Sequence, residues 1–132
     1  MFALDTNTLI YFFKQEGHVA GHLRGVSASQ VHIPSLVLFE LEYGILRSTR
    51  PDLQRRGIDT ALRAYQVLPF DANAAKAAAQ IKHTLEAAGT PIGHVDQLIA
   101  GIALAHKMTL ITRNTREFER VPGLRVENWF DS

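Results

Sequence analysis

Three acidic side chains of this 132-residue sequence stand where a carboxylate could take part in chemistry: Asp5, Glu40 and Asp96. Each adjoins or interrupts an apolar segment, so each is expected near the protein interior. Carboxylates that are brought together repel and raise one another's pKa, which costs stability unless a cation is present. Hard divalent ions such as Mg²⁺ prefer oxygen ligands. These residue types therefore indicate a divalent-metal site, provided that the fold brings them together.

Asp5 follows the apolar run Phe2-Ala3-Leu4 and precedes Thr6 and Asn7. The run predicts a short buried strand, and the next segment predicts a helix from about residue 6 to residue 14. Asp5 would then lie at the carboxyl end of a strand, which is the edge where open α/β sheets bind ligands. The alternative is that Asp5 or Thr6 only caps the helix.

Glu40 interrupts an apolar helix that is predicted for residues 35–48, with Ser35 as its N-cap. The i, i+3, i+4 rule places one apolar stripe on this helix; it comprises Val37, Glu40, Leu41 and Gly44. Gly44 would permit a close approach of another backbone. Glu42 is about 200° from Glu40 around the helix and should face water. The alternative is that Glu40 lies at the edge of the stripe and reaches solvent.

Asp96 begins a helix predicted for residues 96–107, in which the small residues Ala100 and Gly101 allow close packing on a neighbour. The alternative role for Asp96 is a helix N-cap or a first-turn acid. The helix leads into a buried strand at residues 109–112, which ends on Thr112. If the first and fourth strands are neighbours in the sheet, these acids meet at one crevice.

The rest of the chain continues the alternation of strands and helices. Further helices are predicted at residues 19–26, 51–65 and 72–88, and further strands at residues 30–33, 66–70 and 124–127. Asp71 should cap the third of these helices, and Pro69 argues that its strand lies at a sheet edge. Residues 113–120 are predicted as a polar turn anchored by Phe118. Strands separated by helices predict an α/β fold with a parallel sheet covered on both faces.

Composition excludes several classes of protein. Hydrophobic residues make up 46% of the sequence, cysteine is absent, and no apolar run reaches the roughly 18 residues of a membrane span. There is no basic region before the first apolar run, so a signal peptide is not expected. We expect a cytoplasmic protein without disulfides. His18 and His22 have a spacing that could suit a metal, but they lack a third ligand and are taken as surface residues.

Clustered acids with a divalent ion predict the activation of water for hydrolysis of a phosphodiester bond, leaving a 3′-hydroxyl and a 5′-phosphate. Net charge is only +1. Apart from four site acids, however, 14 Lys and Arg stand against 9 Asp and Glu, which is an excess of five positive charges. That excess suits a polyanionic substrate.

Four motifs resemble those of the PIN-domain ribonucleases, and within them the VapC toxins of bacterial type II toxin–antitoxin pairs. They are Leu4-Asp5-Thr6-Asn7, Phe39-Glu40-Leu41-Glu42-Tyr43-Gly44, Ile92-Gly93-His94-Val95-Asp96-Gln97-Leu98-Ile99-Ala100 and Thr109-Leu110-Ile111-Thr112-Arg113-Asn114. Each motif alone is weak, but the four occur in order and at family spacing over essentially the full length. Residues 114–121 look most like the subgroup that cuts initiator tRNA in the anticodon stem-loop.

The resemblance implies a single PIN domain spanning residues 1–132. Its three-layer α/β/α fold would have a five-stranded parallel sheet of order 3-2-1-4-5. It also implies Mg²⁺ or Mn²⁺ as cofactor and a structured RNA, usually a tRNA or a ribosomal RNA loop, as substrate. The implied partners are a second copy in a homodimer and a VapB antitoxin, with a higher toxin–antitoxin assembly. An antitoxin tail carrying Arg is expected to lie along the acid crevice.

Many members of this family have Asp where this chain has Asn114. An amide is a weaker metal ligand, so Glu117 or Glu119 could supply the fourth carboxylate, and Glu117 is preferred because it adjoins Phe118. Asn114 itself remains open as the fourth site residue.

The expected roles follow from these motifs. Asp5 and Asp96 bind the principal metal with Glu40, which orients the water or acts as its base, while Glu117 supports a second metal or its surroundings. Hydrogen-bonding support is expected from Thr6, Asn7, Thr112 and Asn114. Phosphate contacts are expected from Lys14, Arg47 and Arg113. Two other classes stay open: a metal-dependent DNA nuclease, and a binding module of the same fold without turnover.

Overall fold

The computed structural model describes residues 1–132 and contains five strands, seven α-helices and one 3₁₀ turn. The strands are β1 Phe2–Leu4, β2 Val31–Pro34, β3 Gln66–Leu68, β4 Thr109–Ile111 and β5 Val126–Glu127. The helices are α1 Thr6–Lys14, α2 Val19–Arg24, α3 Ser35–Leu46, α4 Pro51–Ala64, α5 Ala72–Ala87, α6 His94–Ala105 and α7 Thr115–Phe118, and the 3₁₀ turn is Ala28–Gln30.

All five strands form one parallel sheet in the order β3-β2-β1-β4-β5. The expected α/β fold and strand order are therefore confirmed. β1 lies at the centre, with Phe2 in register with Val31 on one side and with Thr109 on the other. Consecutive residues in β1, β2 and β4 are buried, which requires cover on both faces of the sheet. β3, which precedes Pro69, is an edge strand as predicted.

The pairing of β1 with β4 is the feature that positions the site. Leu4 is in register with Ile111, so both strands end at the same level. The backbone N–H of Asp5 donates to the Ile111 carbonyl at 3.1 Å, and the Thr8 hydroxyl donates to the same oxygen at 3.0 Å. Residues that follow either strand are thus held against each other at the carboxyl edge of the sheet.

Close packing of α5 on α6 depends on small residues, as the sequence predicted. A Cβ added to Gly101 would lie 2.7 Å from the Ala78 Cβ and 2.9 Å from the Ala74 carbonyl. Asp71 caps α5 as expected, because its side chain accepts the Ala74 N–H at 2.9 Å. Packing against α5 therefore fixes the orientation of α6, which carries Asp96.

Four local expectations were wrong. Ser35 is the first residue of α3 rather than its N-cap, and its hydroxyl accepts the Phe70 N–H at 3.1 Å. Nothing lies within 4 Å of a Cβ built on Gly44, so no backbone approaches it closely. Helix α6 begins at His94 rather than at Asp96, which is a first-turn acid, as the alternative interpretation had it. The polar turn at residues 113–120 contains α7, because Phe118 anchors a single helical turn against the core.

None of the helices combines the length and the apolar character that crossing a membrane requires.

Candidate functional site

Asp5 is both a helix cap and a member of a buried acid cluster. Its side chain is 7% exposed, and its Oδ1 accepts the Thr8 N–H at 2.9 Å at the start of α1. Burial raises the pKa of Asp5 above its usual value, while hydrogen bonds from Thr112 and Thr8 offset part of that increase. Capping therefore holds the carboxylate in a fixed direction but does not account for its burial.

Glu40 reaches the same crevice from α3. It is half-buried, and its Oε1 accepts a hydrogen bond from the Thr6 hydroxyl at 2.5 Å. That bond joins α3 to the first residue of α1, which follows Asp5 directly. Asn7 is exposed beside Thr6, whereas Thr112 is fully buried at the end of β4. Thr6 and Thr112 therefore contact the site acids through hydrogen bonds, whereas the Asn7 side chain makes none.

The pKa of Asp96 is also raised, by burial and by the neighbouring acids. Burial, followed by the charges of Glu117, Glu40 and Asp5, raises the pKa of Asp96 to about 7, and a hydrogen bond with Glu117 contributes to this increase. All four predicted acids therefore act on one another in a single crevice.

Glu117 is held by two donors from different parts of the chain. The Gly93 N–H donates to its Oε1 at 2.7 Å, and the Asn114 Nδ2 donates to its Oε2 at 2.6 Å. The neighbouring Glu119 is exposed and makes no side-chain hydrogen bond or ion pair. Of the two glutamates left open by the sequence, Glu117 is the one at the crevice.

No basic side chain compensates these four acids. The ion pairs of the molecule lie elsewhere and join Arg55 to Glu42 and Asp59, Lys82 to Glu86, and Arg113 to Asp131. A set of oxygen donors with crowded charge and no cation suits a hard divalent ion. As placed, no three histidine or acidic side chains of the molecule could hold one metal ion together. Binding would therefore draw the carboxylates inward as it relieved their repulsion.

The three predicted phosphate contacts differ in their surroundings. Lys14 is exposed and lines a groove of about 420 Å³ that also borders Glu40. The Arg47 guanidinium lies 5.4 Å from the centre of the Tyr43 ring. Arg113 lies 3.7 Å from the Phe130 ring and 5.8 Å from the Tyr11 ring, with its Nε 3.5 Å from Asp131. Only Lys14 is therefore free of a competing aromatic or acidic contact.

Sequence reasoning missed the Gly93 amide near the crevice, where a small residue in the loop before a helix was the only signal available. Arg50 also lines the groove, together with Lys14. The rest of the groove is lined by Gly44, Gln54 and five apolar residues of α1, α3 and α4: Ile10, Phe13, Leu41, Leu53 and Ile58.

Comparison with known proteins shows which family this chain resembles. The PIN domain model matches residues 2–124. A protein of Salmonella typhimurium named tRNA(fMet)-specific endonuclease VapC is 38% identical over 128 residues, covering 97% of each chain. Ribonuclease VapC2 of Rickettsia felis is 33% identical over 131 residues and 98% of each chain. A crystal structure of Rickettsia felis VapBC2 bound to a DNA fragment from its promoter superimposes with a TM-score of 0.90 at 33% identity, covering 97% of this chain and 98% of that one.

Proposed function

This chain belongs to the PIN-domain family as a ribonuclease of the VapC toxin type, and on that premise we propose that it cleaves a structured RNA by Mg²⁺-dependent hydrolysis. The observation that carries the proposal is the uncompensated acid crevice. Four carboxylates meet at the carboxyl edge of a parallel sheet, and burial with their mutual repulsion raises the pKa of one of them, Asp96, to about 7. PIN nucleases are typically metal-dependent, which supports the same assignment.

Asp5, Asp96 and Glu40 are the residues that would hold Mg²⁺ or Mn²⁺, with Glu117 supporting a second ion or its surroundings. When bound, such an ion offsets the carboxylate repulsion, makes water a better nucleophile and stabilises charge on the phosphoryl group. Asp5 keeps its direction because the Thr8 N–H holds it. Thr112 also hydrogen-bonds to Asp5, and Asn7 is proposed as further hydrogen-bonding support.

Glu40 orients the attacking water or accepts its proton, and the Thr6 hydroxyl fixes the direction of its carboxylate. The water oxygen forms a bond to phosphorus while the bond from phosphorus to the 3′ oxygen breaks. The departing oxygen takes up a proton, so the products carry a 3′-hydroxyl and a 5′-phosphate. Water is the nucleophile throughout, and no 2′,3′-cyclic phosphate forms.

The substrate we propose is a tRNA, and within it the anticodon stem-loop of the initiator tRNA. The name of the relative from Salmonella typhimurium supports this choice, as does 38% identity over nearly the whole chain. A ribosomal RNA loop is the other structured RNA that the fold would suit. Lys14, which borders the crevice, is the main proposed phosphate contact, while Arg47 and Arg113 contribute less because each already has a partner.

The proposed partners are a VapB-type antitoxin and a second copy of this chain. The relative from Rickettsia felis was solved as a toxin–antitoxin complex, VapBC2. We place an arginine-bearing antitoxin tail along the groove that borders Glu40, where its guanidinium would meet the crevice acids in bidentate fashion. A homodimer within a larger toxin–antitoxin assembly, one domain over residues 1–132 and a cytoplasmic location complete the proposal.

The decisive experiment is cleavage of initiator tRNA by the purified protein in EDTA and after addition of Mg²⁺ or Mn²⁺. We expect no cleavage in EDTA, restored cleavage with either ion, and 5′-phosphate ends. Undiminished cleavage in EDTA, or cyclic phosphate products, would contradict the mechanism. The Asp5→Asn variant serves as the control for a contaminating nuclease.

The same assay decides between the proposal and the two other classes. A DNA oligonucleotide of the same stem-loop sequence, cut as fast as the RNA, would point to a DNA nuclease. RNA binding without turnover under any metal would point to a binding module. Toxicity on expression, relieved by the product of an adjacent small gene, is the expected result in cells.

A further inference from the structure

The segment after β4 contains a hydrogen-bond arrangement that the proposed reaction has not yet used. Asn114 directly precedes the single-turn helix α7, and its side-chain Nδ2 donates to Glu117 Oε2 at 2.6 Å. The backbone N–H of Gly93, 24 residues away in the chain, donates to Glu117 Oε1 at 2.7 Å. Both oxygens of one carboxylate are therefore held by separate donors.

The identity of the Asn114 atom that faces Glu117 follows from chemistry. The two ends of an amide are assigned from their partners. A carboxylate accepts hydrogen bonds only, so the amide carbonyl could not occupy that position without repulsion. The Nδ2 group thus points at Glu117.

We propose that Asn114 is a positioning residue, which together with the Gly93 amide holds Glu117 in its working direction and is not itself a metal ligand. This inference rests on the proposed metal-dependent function. It explains why an amide replaces the aspartate common in the family. Aspartate at this position would set a second carboxylate about 3 Å from Glu117 in place of a donor, and the pair would repel.

The absence of a side chain at Gly93 supplies the other half of the arrangement. A Cβ built there would lie 3.1 Å from Asp96 Oδ2 and 3.7 Å from Glu117 Oε1. The φ of Gly93 is −56°, which any residue can adopt, so space rather than backbone conformation selects glycine. The glycine thus leaves room for the Asp96 and Glu117 carboxylates beside it.

Two further contacts keep both donors in place. Phe118 is 1% exposed and anchors α7 in the core, while Arg120 Nη1 donates to the Pro91 carbonyl at 3.1 Å. The second contact joins the end of α7 to the loop that leads into Gly93. The two donors thus belong to segments tied together independently of Glu117, which is what a preorganised support requires.

The test is a double-mutant cycle on Mn²⁺ affinity, measured by calorimetry without RNA. Removal of an outer hydrogen-bonding partner typically weakens metal binding by about 10-fold to 100-fold. We expect Asn114→Ala to weaken Mn²⁺ binding by about 10-fold in the wild-type background and by less than about twofold in the Glu117→Gln background, since it would act through Glu117 alone. Glu119→Gln is the matched control and should bind Mn²⁺ like the wild type. Thermal unfolding of each variant checks that it folds.

Three results would overturn the inference. They are an equal effect of Asn114→Ala in both backgrounds, wild-type affinity for Glu117→Gln, and wild-type or tighter binding by Asn114→Asp, which would make position 114 a ligand. A metal-free NMR measurement separates these failures from failure of the proposed function. In it, the Asn114 side-chain amide resonances should shift in Glu117→Gln but not in Glu119→Gln. A wild type that binds no Mn²⁺ would refute the metal mechanism, whereas unchanged Asn114 resonances in Glu117→Gln would refute the positioning contact.

Discussion

Helix α3 carries two glutamates, two residues apart, in opposite electrostatic surroundings. Glu42 lies on the outer side of the α3–α4 hairpin, where both of its oxygens accept hydrogen bonds from Arg55. Arg55 lowers the pKa of Glu42, chiefly through these bonds. Glu40 faces the crevice, where its neighbours are acids and a threonine. The molecule thus compensates charge at the surface and leaves it uncompensated at the sheet edge.

The difference shows what kind of feature the crevice is. An exposed ion pair contributes little to stability and can be lost cheaply. Buried like charges cost stability, and a fold retains them where a cation or a reaction needs them. The predictions below test whether the two sides of α3 differ in function as much as they differ in charge.

The largest expected effect comes from neutralising Asp5, which follows β1, and Asp96, which lies in the first turn of α6. Asp5→Asn and Asp96→Asn should each lower RNA cleavage by about a thousandfold or more, since a bound ion stabilises the transition state by several kcal/mol and each 1.36 kcal/mol is a factor of ten. The fold should survive, and the metal-free variants should unfold at the same or a higher temperature. Cleavage rates with saturating Mg²⁺ and thermal melts in EDTA measure both effects.

Asp59→Asn on α4 is the matched control, because it makes the same chemical change at an acid that already has Arg55 as a partner. It should keep wild-type cleavage. A large loss of cleavage in Asp59→Asn, or wild-type cleavage rates in both crevice variants, would contradict the functional difference between the crevice and the ion-paired surface.

A second prediction concerns pH in the metal-free protein. The pKa of Asp96 is raised from 3.8 to about 7 in the folded state, so the folded state binds this proton more tightly than the unfolded chain does. Its contribution to stability is complete below about pH 4 and is lost as pH rises towards 7. Asp5, whose pKa is also raised, acts in the same direction.

In EDTA, the wild type should therefore lose stability between pH 5 and pH 8 relative to Asp96→Asn, by a few degrees in the unfolding midpoint. The difference between the two proteins is the quantity to measure, because titratable groups outside the crevice contribute equally to both. If the stabilities of the two proteins had the same pH dependence, ionisation of Asp96 would not destabilise the folded state. Addition of Mn²⁺ should remove most of the difference.

Short-range patterns predicted a parallel sheet and singled out Asp5, Glu40 and Asp96, whereas the strand order and the choice of Glu117 followed the resemblance to PIN-domain ribonucleases. Alternating strands and helices imply a parallel sheet, and an acid directly after a strand must lie at its carboxyl edge. Helix α7 was missed because four residues are too few to show helical periodicity. The hydrogen bond from the Gly93 N–H to Glu117 joins residues 24 apart in the sequence, and no local pattern predicts such a contact.

The arginine contacts were unpredictable for the same reason. Arg113 follows a strand near the crevice, so its sequence position suggested a phosphate contact. In the fold, the last residues of the chain pack against Arg113, and its guanidinium contacts Phe130 and Asp131. Gly44 shows the reverse error, since a glycine on an apolar stripe suggested a close approach that the packing does not make.

A third prediction ranks the basic residues by these contacts. Lys14→Gln should reduce the salt dependence of RNA binding by about one unit of slope, as expected for one lost phosphate contact. Arg113→Gln should reduce it by less, because Asp131 already neutralises part of its charge. Binding is measured over a range of salt concentrations in the Asp5→Asn background without cleavage. Equal slopes for the two variants would mean that Arg113 leaves its aromatic contacts to bind RNA.

The smallest expected effect is at Glu42, and it is the sharpest test of the comparison. Glu42→Gln breaks an exposed pair with Arg55, and exposed pairs contribute little, so cleavage should change by less than about twofold. Glu40→Gln, two residues earlier on the same helix, makes the identical change at the crevice and should lower the cleavage rate strongly while leaving the fold intact. Both variants are assayed together under saturating Mg²⁺. If Glu42→Gln abolished cleavage and Glu40→Gln did not, the outer face of α3 would be the functional one, and the uncompensated charge at the sheet edge would need another explanation.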